Sequence, residues 1–209
     1  MSTDRVRAIY DRRAESYDRS VGLSERWLLG DLRRVFGAEL RGETLEVGIG
    51  SGLNLPAYSP FVTRAIGVDL SAGMLAVARR RAGNLERSIE LIQADARSLP
   101  FPDASFDTVA ISLALCTVPD PTAALGELAR VCRPGGRVVF LEHVRSPFPP
   151  VAVAQRLLSS YQERLLGCHL DRDTIDLAGT LGFTMLSERR RLFSVFRLVV
   201  AHPPAAAAT

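Results

Sequence analysis

Leu45-Glu46-Val47-Gly48-Ile49-Gly50-Ser51-Gly52 places a glycine-rich turn directly behind a short β-prone run and directly ahead of Leu53-Asn54-Leu55-Pro56-Ala57-Tyr58. Glycine has no Cβ, so the amides of such a turn can come close to a polar or anionic group. A lone G-x-G also arises from packing, and here the context carries the reading. Asp69 closes the next β-prone run, where a carboxylate can accept hydrogen bonds from both hydroxyls of a ribose. The spacing is G-x-G-x-G, with Leu53 where a dinucleotide fingerprint needs its last glycine, which disfavours a nicotinamide cofactor. Glu46 beside the turn would repel a pyrophosphate. It suits a cofactor with an ammonium group, whose carboxylate the loop amides could meet.

Working outward, short β-rich runs alternate with helical stretches, the pattern of a parallel sheet wound by crossover helices and therefore of an α/β fold. Strands are expected at 43–48, 64–69, 89–94, 106–112, 137–143, 183–189 and 194–201. Helices are expected at 53–58, 72–82, 121–131 and 171–181. Residues 3–40 read as helix broken near Gly22, with one stripe of Val6, Ile9, Tyr10, Arg13 and Tyr17 and a second of Leu28, Leu32, Val35 and Phe36. The second stripe begins at Trp27 beside Arg26, Arg33 and Arg34. It suits either packing on the core or lying in a membrane interface. Gly135-Gly136 turns the chain into a strand, and the prolines at 147, 149 and 150 stop that strand, leaving 147–170 as a cap over the site. The division expected is one domain, 1–209: N-terminal helices (1–40), cofactor-binding core (43–144), cap (147–170) and the rest of the sheet (171–202). The Ala-rich tail after Pro203 is expected to fray.

The chain has 209 residues, 47% of them apolar, enough for a core without metal or disulfide staples. Cys116, Cys132 and Cys168 stand far apart in no metal-ligand spacing, so they read as reduced thiols, with no zinc site and a cytoplasmic setting. No apolar run is long enough for a signal or a membrane span. The net charge is +3 and every one of the 26 cationic side chains is Arg, the better bidentate partner for phosphate. The Arg79–Arg81 and Arg189–Arg191 runs read first as solvated faces. A basic face with interleaved aromatics is missing, and Ser112-Leu113-Ala114-Leu115 stands where a base-amine clamp would follow the fourth strand, so nucleic acid is excluded as a partner.

Four linked segments, taken in order, resemble the class I S-adenosylmethionine-dependent methyltransferases. Glu46 to Gly52 resembles their first motif, and Asp69 the acidic residue closing their second strand. Ala94-Asp95-Ala96 is similar to the segment that meets adenine, 99–107 to the lead into strand four, and 130–136 to the turn before strand five. The resemblance covers 42–144. It implies a Rossmann-like, mostly parallel seven-stranded sheet with helices on both faces and an N-terminal helical lid. It also implies S-adenosylmethionine as cofactor, leaving as S-adenosylhomocysteine, held by Glu46, Gly48, Gly50, Gly52, Asn54, Asp69, Leu70, Asp95, Ala96 and Leu113. Such chemistry is mostly alignment, because the sulfonium carries its own leaving group.

Within that superfamily the Gly-Leu-Asn-Leu-Pro-x-Tyr run and Ala14-Glu15-Ser16-Tyr17-Asp18 look like the bacterial phosphatidylethanolamine N-methyltransferases, neighbours of the quinone C-methyltransferases. Leu141-Glu142-His143-Val144 and Gly167-Cys168-x-Leu170 are similar to membrane-associated thiol methyltransferases. The first resemblance implies stepwise methylation of phosphatidylethanolamine towards phosphatidylcholine, on the cytoplasmic face of a membrane and peripheral on its anionic surface. Tyr10, Tyr17 and His143 are the catalytic candidates, and Arg145, Tyr161 and His143 those for the lipid phosphate and amine. For His143 a structural role stands level with that of a base, and for the two tyrosines core packing stands level with catalysis. The alternatives are a thiol or other small-molecule acceptor, a quinone C-methyltransferase, and a non-catalytic nucleotide-binding protein. A monomer is the working expectation.

Overall fold

The computed structural model describes residues 2–205, with the side chains of 23–26 outside the description. The chain begins with α1 (Thr3–Leu29) and α2 (Leu32–Glu39) and then enters the alternating unit. β1 (Gly42–Val47), β2 (Val62–Asp69), α3 (Ala72–Ala82), β3 (Ile89–Gln93), β4 (Phe106–Ser112), α4 (Pro121–Val131) and β5 (Cys132–His143) follow in turn. The remainder is α5 (Pro149–Leu166), α6 (Thr174–Thr180), β6 (Thr184–Arg191) and β7 (Phe196–His202). The seven strands lie in the order β3-β2-β1-β4-β5-β7-β6. The first five are parallel, and β7 runs antiparallel between β5 and β6. β1 lies between β2 and β4, so the turn behind it opens at the carboxyl edge where the strand order reverses, the place such sheets bind ligands.

Both faces of the sheet are covered. Val109, Ile111, Val138 and Phe140 pack with Leu125 and Leu128 of α4 and Ile175 and Ala178 of α6. Ala110, Val139 and Leu141 point the other way, onto Leu32, Val35 and Phe36 of α2. This alternation along one strand is the period-two signature of a sheet buried on both sides. β6, the exposed edge, is protected by Arg189, Arg190 and Arg191 rather than by a neighbour.

Four expectations change or are decided between two readings. The N-terminal helix runs through Gly22, a tolerable cost of about 1 kcal/mol in a long helix, and ends instead at Gly30, whose φ of +57° only glycine adopts readily. Arg191 caps that end by donating to the carbonyls of Trp27 and Leu28. For the second apolar stripe the structure selects packing on the core, one of its two expected readings: Leu32, Val35 and Phe36 are buried beside Leu29, Leu28 is half-buried, Trp27 stays exposed at 74%, and the Arg26 side chain lies outside the described residues. The expected helix at 53–58 is a 3₁₀ turn, Leu55–Ala57, because Pro56 has no amide to extend it. The frayed tail falls partly at 206–209, outside the described residues.

The cap carries the fourth change, an 18-residue helix, α5, with inverted polarity. Its buried side chains are Gln155 and Ser159. Gln155 accepts from Ser146 N and donates to the carbonyls of Val144 and Leu170, while Ser159 donates to Asp171 and accepts from Leu170 N. Val153, Leu157, Leu158, Tyr161 and Leu165 face outward, Leu157 at 76% exposure.

Candidate functional site

The carboxyl edge of the sheet holds an open cleft. Its floor is the glycine turn. Gly48 (φ +68°) and Gly50 (φ +57°) have backbone angles that L side chains avoid. A Cβ on Gly48 would lie 2.5 Å from Ala114, while the space beside Gly50 is open. The turn thus presents bare backbone to the cleft, the cradle a polar ligand group needs. Gly52 does not line the cleft; its φ of +80° closes the turn, and a Cβ there would strike Leu55 at 2.8 Å.

Asp69 sits at the end of β2, its two oxygens accepting from Gly50 N and Ser71 N at 2.8 Å each. Desolvation pushes its pKa up, and those amides partly oppose the shift. Leu70, Ala94, Asp95 and Ala96 line the next part of the wall. Asp95 is committed to Arg97, accepting from its backbone amide and pairing with its guanidinium at 2.7 Å, which holds the carboxyl below its usual range. An adenine amino group at Asp95 would therefore share the carboxylate with Arg97. Leu113 lines the cleft from a strained backbone, φ +52°, fixed by its amide donating to Leu141 O at 2.7 Å.

Glu46 is not a cleft residue. It is fully buried behind the loop, accepting from Asn54 Nδ2 at 2.6 Å and from the Tyr58 hydroxyl. Burial raises its carboxyl from the ordinary 4.5 to about 7, against the pull of those two hydrogen bonds. The acidic residue acts through Asn54, whose Oδ1 receives Arg33 NH1 at 2.6 Å; both Asn54 and Arg33 line the cleft. Sequence reading named Asn54 but treated Arg33 only as a flank of the apolar stripe.

The lid is α1. Tyr10 and Tyr17, two helical turns apart, both line the cleft with ring centroids 6.2 Å apart. Burial raises the Tyr10 hydroxyl first, and the nearby Cys116, Tyr17, Cys168 and Asp69 raise it further, so it stays protonated. On a neighbouring face, at the same seven-residue spacing, Asp11 receives Ser71 Oγ (2.5 Å) and Gly73 N (2.9 Å). Asp18 receives Ser51 Oγ at 2.6 Å and pairs with Arg81. Arg80 pairs with Glu15, so the 79–81 run is largely a latch for the lid, not a free cationic face. Asp11 and Asp18 were missed as site residues. The repeated Tyr-Asp pair seven residues apart was the available signal.

Three expected acceptor residues do not reach the cleft. Arg145 and Tyr161 are exposed on the outer surface, and none of the described residues lining the cleft comes from the cap. The proline-started α5 lies beside α1 instead of over the opening, which removes the cap from the site. His143 points elsewhere as well: its Nε2 lies 3.1 Å from Cys168 Sγ. Desolvation works against its charged form, yet the hydrogen bond to Cys168 carries its pKa upward. Two of the three cysteines that look isolated in the sequence are not isolated in space. Cys116, His143 and Cys168 converge because the ends of β4, β5 and α5 meet.

The chain is similar to known proteins over this same region. The methyltransferase domain family matches residues 45–140. A phosphatidylethanolamine N-methyltransferase of Cereibacter sphaeroides is 45% identical over 132 residues, 62% of this chain and 64% of that protein. A ubiquinone/menaquinone biosynthesis C-methyltransferase of Hahella chejuensis is 32% identical over 179 residues, 81% of this chain and 72% of that protein. Among solved structures, a methyltransferase-like protein from Bacillus halodurans superposes with a TM-score of 0.65 at 26% identity, over 76% of this chain and 70% of that one. Against several curated relatives the chain spans only 61% to 64% of their length.

Proposed function

Because the chain belongs to the class I S-adenosylmethionine-dependent methyltransferases, we propose that it transfers methyl groups to the amine of a bilayer-resident phospholipid, phosphatidylethanolamine. The cofactor, when bound, supplies an electrophilic methyl group on a sulfonium. The residues present fit it. The side-chain-free backbone at Gly48 and the Arg33–Asn54 pair suit its amino-acid end, with Arg33 a cation for the carboxylate, while the Gly50 amide is given to Asp69. Asp69 suits the ribose, and Leu70, Asp95 and Ala96 suit the adenine.

The Tyr10–Tyr17 pair carries the amine reading. Both carboxylates among the described lining residues are engaged, Asp69 by amides and Asp95 by Arg97, so what remains for the acceptor is aromatic faces and hydroxyls. Two tyrosine rings favour a nitrogen that gains positive charge as it is methylated. Their hydroxyl oxygens can accept from the amine, and the desolvated cleft favours the neutral amine that can attack. Catalysis then consists of alignment by α1 and exclusion of water. The outward apolar face of α5 supports an acceptor that stays in the bilayer, since it offers the enzyme a surface to dock. No helix among the described residues is long and apolar enough to cross a membrane.

A second reading, C-methylation of an isoprenoid quinone precursor, is favoured by the quinone-pathway relatives and uses the same docking face. Labelled methyl transfer from S-adenosylmethionine separates the two, with phosphatidylethanolamine vesicles, vesicles carrying a demethylated quinol, and soluble thiols and amines presented in parallel. Label in mono-, di- and trimethylated phospholipid is the expected result. Label confined to the quinol or to a soluble acceptor overturns the amine reading.

A further inference from the structure

Among the described residues outside the cleft, Cys116 in the loop after β4, His143 at the end of β5 and Cys168 just past α5 gather in one group. Their donor atoms all lie within 4.8 Å of one another. The backbone holds all three in place. Leu113 N donates to Leu141 O, and Ala114 N and Leu115 N donate to the Glu142 carboxylate at 3.1 and 3.2 Å, which draws the Cys116 loop against β5. His169 N donates to Cys116 O at 3.1 Å, which pins the residue after Cys168 to that loop. Gly167, at φ +73°, ends α5 and turns the chain inward, and Arg172 clamps the far side by donating to the carbonyls of Leu115 and Val118.

This is more order than packing asks of two thiols. A buried structural histidine is normally hydrogen-bonded at both nitrogens. Here Nε2 meets only a sulfur, and the buried Nδ1 has no partner among the described residues. Cys116 and Cys168 are free thiols. We propose that Cys116, His143 and Cys168 form a binding site for a soft divalent cation of the zinc class. Two sulfurs and one imidazole nitrogen are the donor set such an ion selects over the oxygen ligands of magnesium or calcium. Tetrahedral coordination with Zn–S of about 2.3 Å and Zn–N of about 2.0–2.1 Å sets donors roughly 3.5–3.8 Å apart, so the trio closes on an ion by small side-chain rotations. No fourth protein donor joins the group among the described residues, which leaves one coordination position for water or an added soft ligand. Ala114 and Thr117, two residues before and one after Cys116, line the cleft, so the ion would sit in the wall behind the acceptor. The site stands independently of which acceptor is methylated.

The test uses the full chain, reduced, stripped with a chelator and titrated with Zn²⁺ by calorimetry and with Co²⁺ by absorption. One equivalent should bind, with thiolate-to-cobalt charge-transfer bands and the intense visible bands of a tetrahedral site. Cys168→Ser and His143→Ala should each weaken Zn²⁺ binding by at least about 100-fold, while Cys132→Ser leaves it unchanged. S-adenosylhomocysteine binding by each variant reports that it is folded; should buried Cys116→Ser fail to fold, the less buried Cys168 still decides. Absence of saturable binding by folded wild-type protein overturns the site, and so does Zn²⁺ affinity unchanged in Cys168→Ser.

Discussion

Two of the helices that lie outside the alternating unit, α1 and α5, present opposite surfaces to the same core. α1 buries Val6, Ile9 and Ala14 and seats Asp11 and Asp18 on the polar groups of the cofactor turn and of α3. α5 buries Gln155 and Ser159 and leaves its leucines outside. An amphipathic helix normally turns its apolar stripe inward. α1 does so and becomes part of the site; α5 is held by hydrogen bonds and leaves its apolar side chains exposed. The lid and the proposed docking surface are therefore separate devices, and they should fail separately.

The largest effect expected is on membrane association. Replacing Leu157, Leu158 and Tyr161 together by Asp should lower affinity for anionic vesicles by at least about 100-fold, because it removes the apolar area available for insertion and adds repulsion. S-adenosylhomocysteine affinity should not move. Unchanged co-sedimentation of the triple variant with vesicles would show that α5 is an ordinary solvent-facing helix. Next comes Gln155→Leu, which strands Ser146 N and the carbonyls of Val144 and Leu170 and should cost about 2–3 kcal/mol of unfolding free energy. Denaturant titration checks this, and a loss below about 0.5 kcal/mol would mean that the helix is held by something else.

The converse test strikes α1. Asp11→Ala combined with Asp18→Ala removes the latch on Ser71, Gly73 and Ser51 and should weaken S-adenosylhomocysteine binding roughly 10- to 30-fold, at about 1 kcal/mol per lost carboxylate. Vesicle binding should stay as in the wild type, and a parallel loss of both would merge the two devices into one. The smallest effect concerns the support beneath the lid. Glu46 titrates at about 7 in the folded chain against an ordinary 4.5. Raised pKa means the folded state holds the proton more tightly, so this contribution is present in full below about 4.5 and is lost as pH rises through 7. Glu46→Gln keeps both hydrogen bonds, with the Tyr58 hydroxyl turning from donor to acceptor, and should flatten the fall of stability between pH 5 and pH 8. A slope identical to wild type in thermal melts at several pH values would remove Glu46 as its source.

The same contrast marks what the sequence could and could not convey. The parallel sheet, the glycine turn and Asp69 follow from local patterns that a chain writes in order, β-prone runs, turn glycines and a carboxylate at a strand end, whereas Leu70, Ala96 and Leu113 came with the family resemblance. Glu46 was misplaced because an acidic residue beside a glycine turn reads alike whether its carboxylate faces the ligand or lies behind the loop, and only its meeting with Asn54 and Tyr58 decides. Arg145 and Tyr161 were misplaced because their positions depend on where α5 lands, a matter of Gln155 and Ser159 reaching loops on either side. The gathering of Cys116, His143 and Cys168 is illegible for the same reason, since three segments far apart in the chain meet only through strand-end geometry.

The most direct measurement compares two forms of one acceptor: phosphatidylethanolamine embedded in vesicles and a water-soluble short-chain phosphatidylethanolamine, each offered with labelled S-adenosylmethionine to the wild type and to the α5 triple variant. The wild type should methylate both, and the variant should lose the vesicle reaction while keeping the soluble one. Equal loss on both acceptors would place α5 in the catalytic site, and no label in either phospholipid from the wild type would contradict the lipid amine as acceptor.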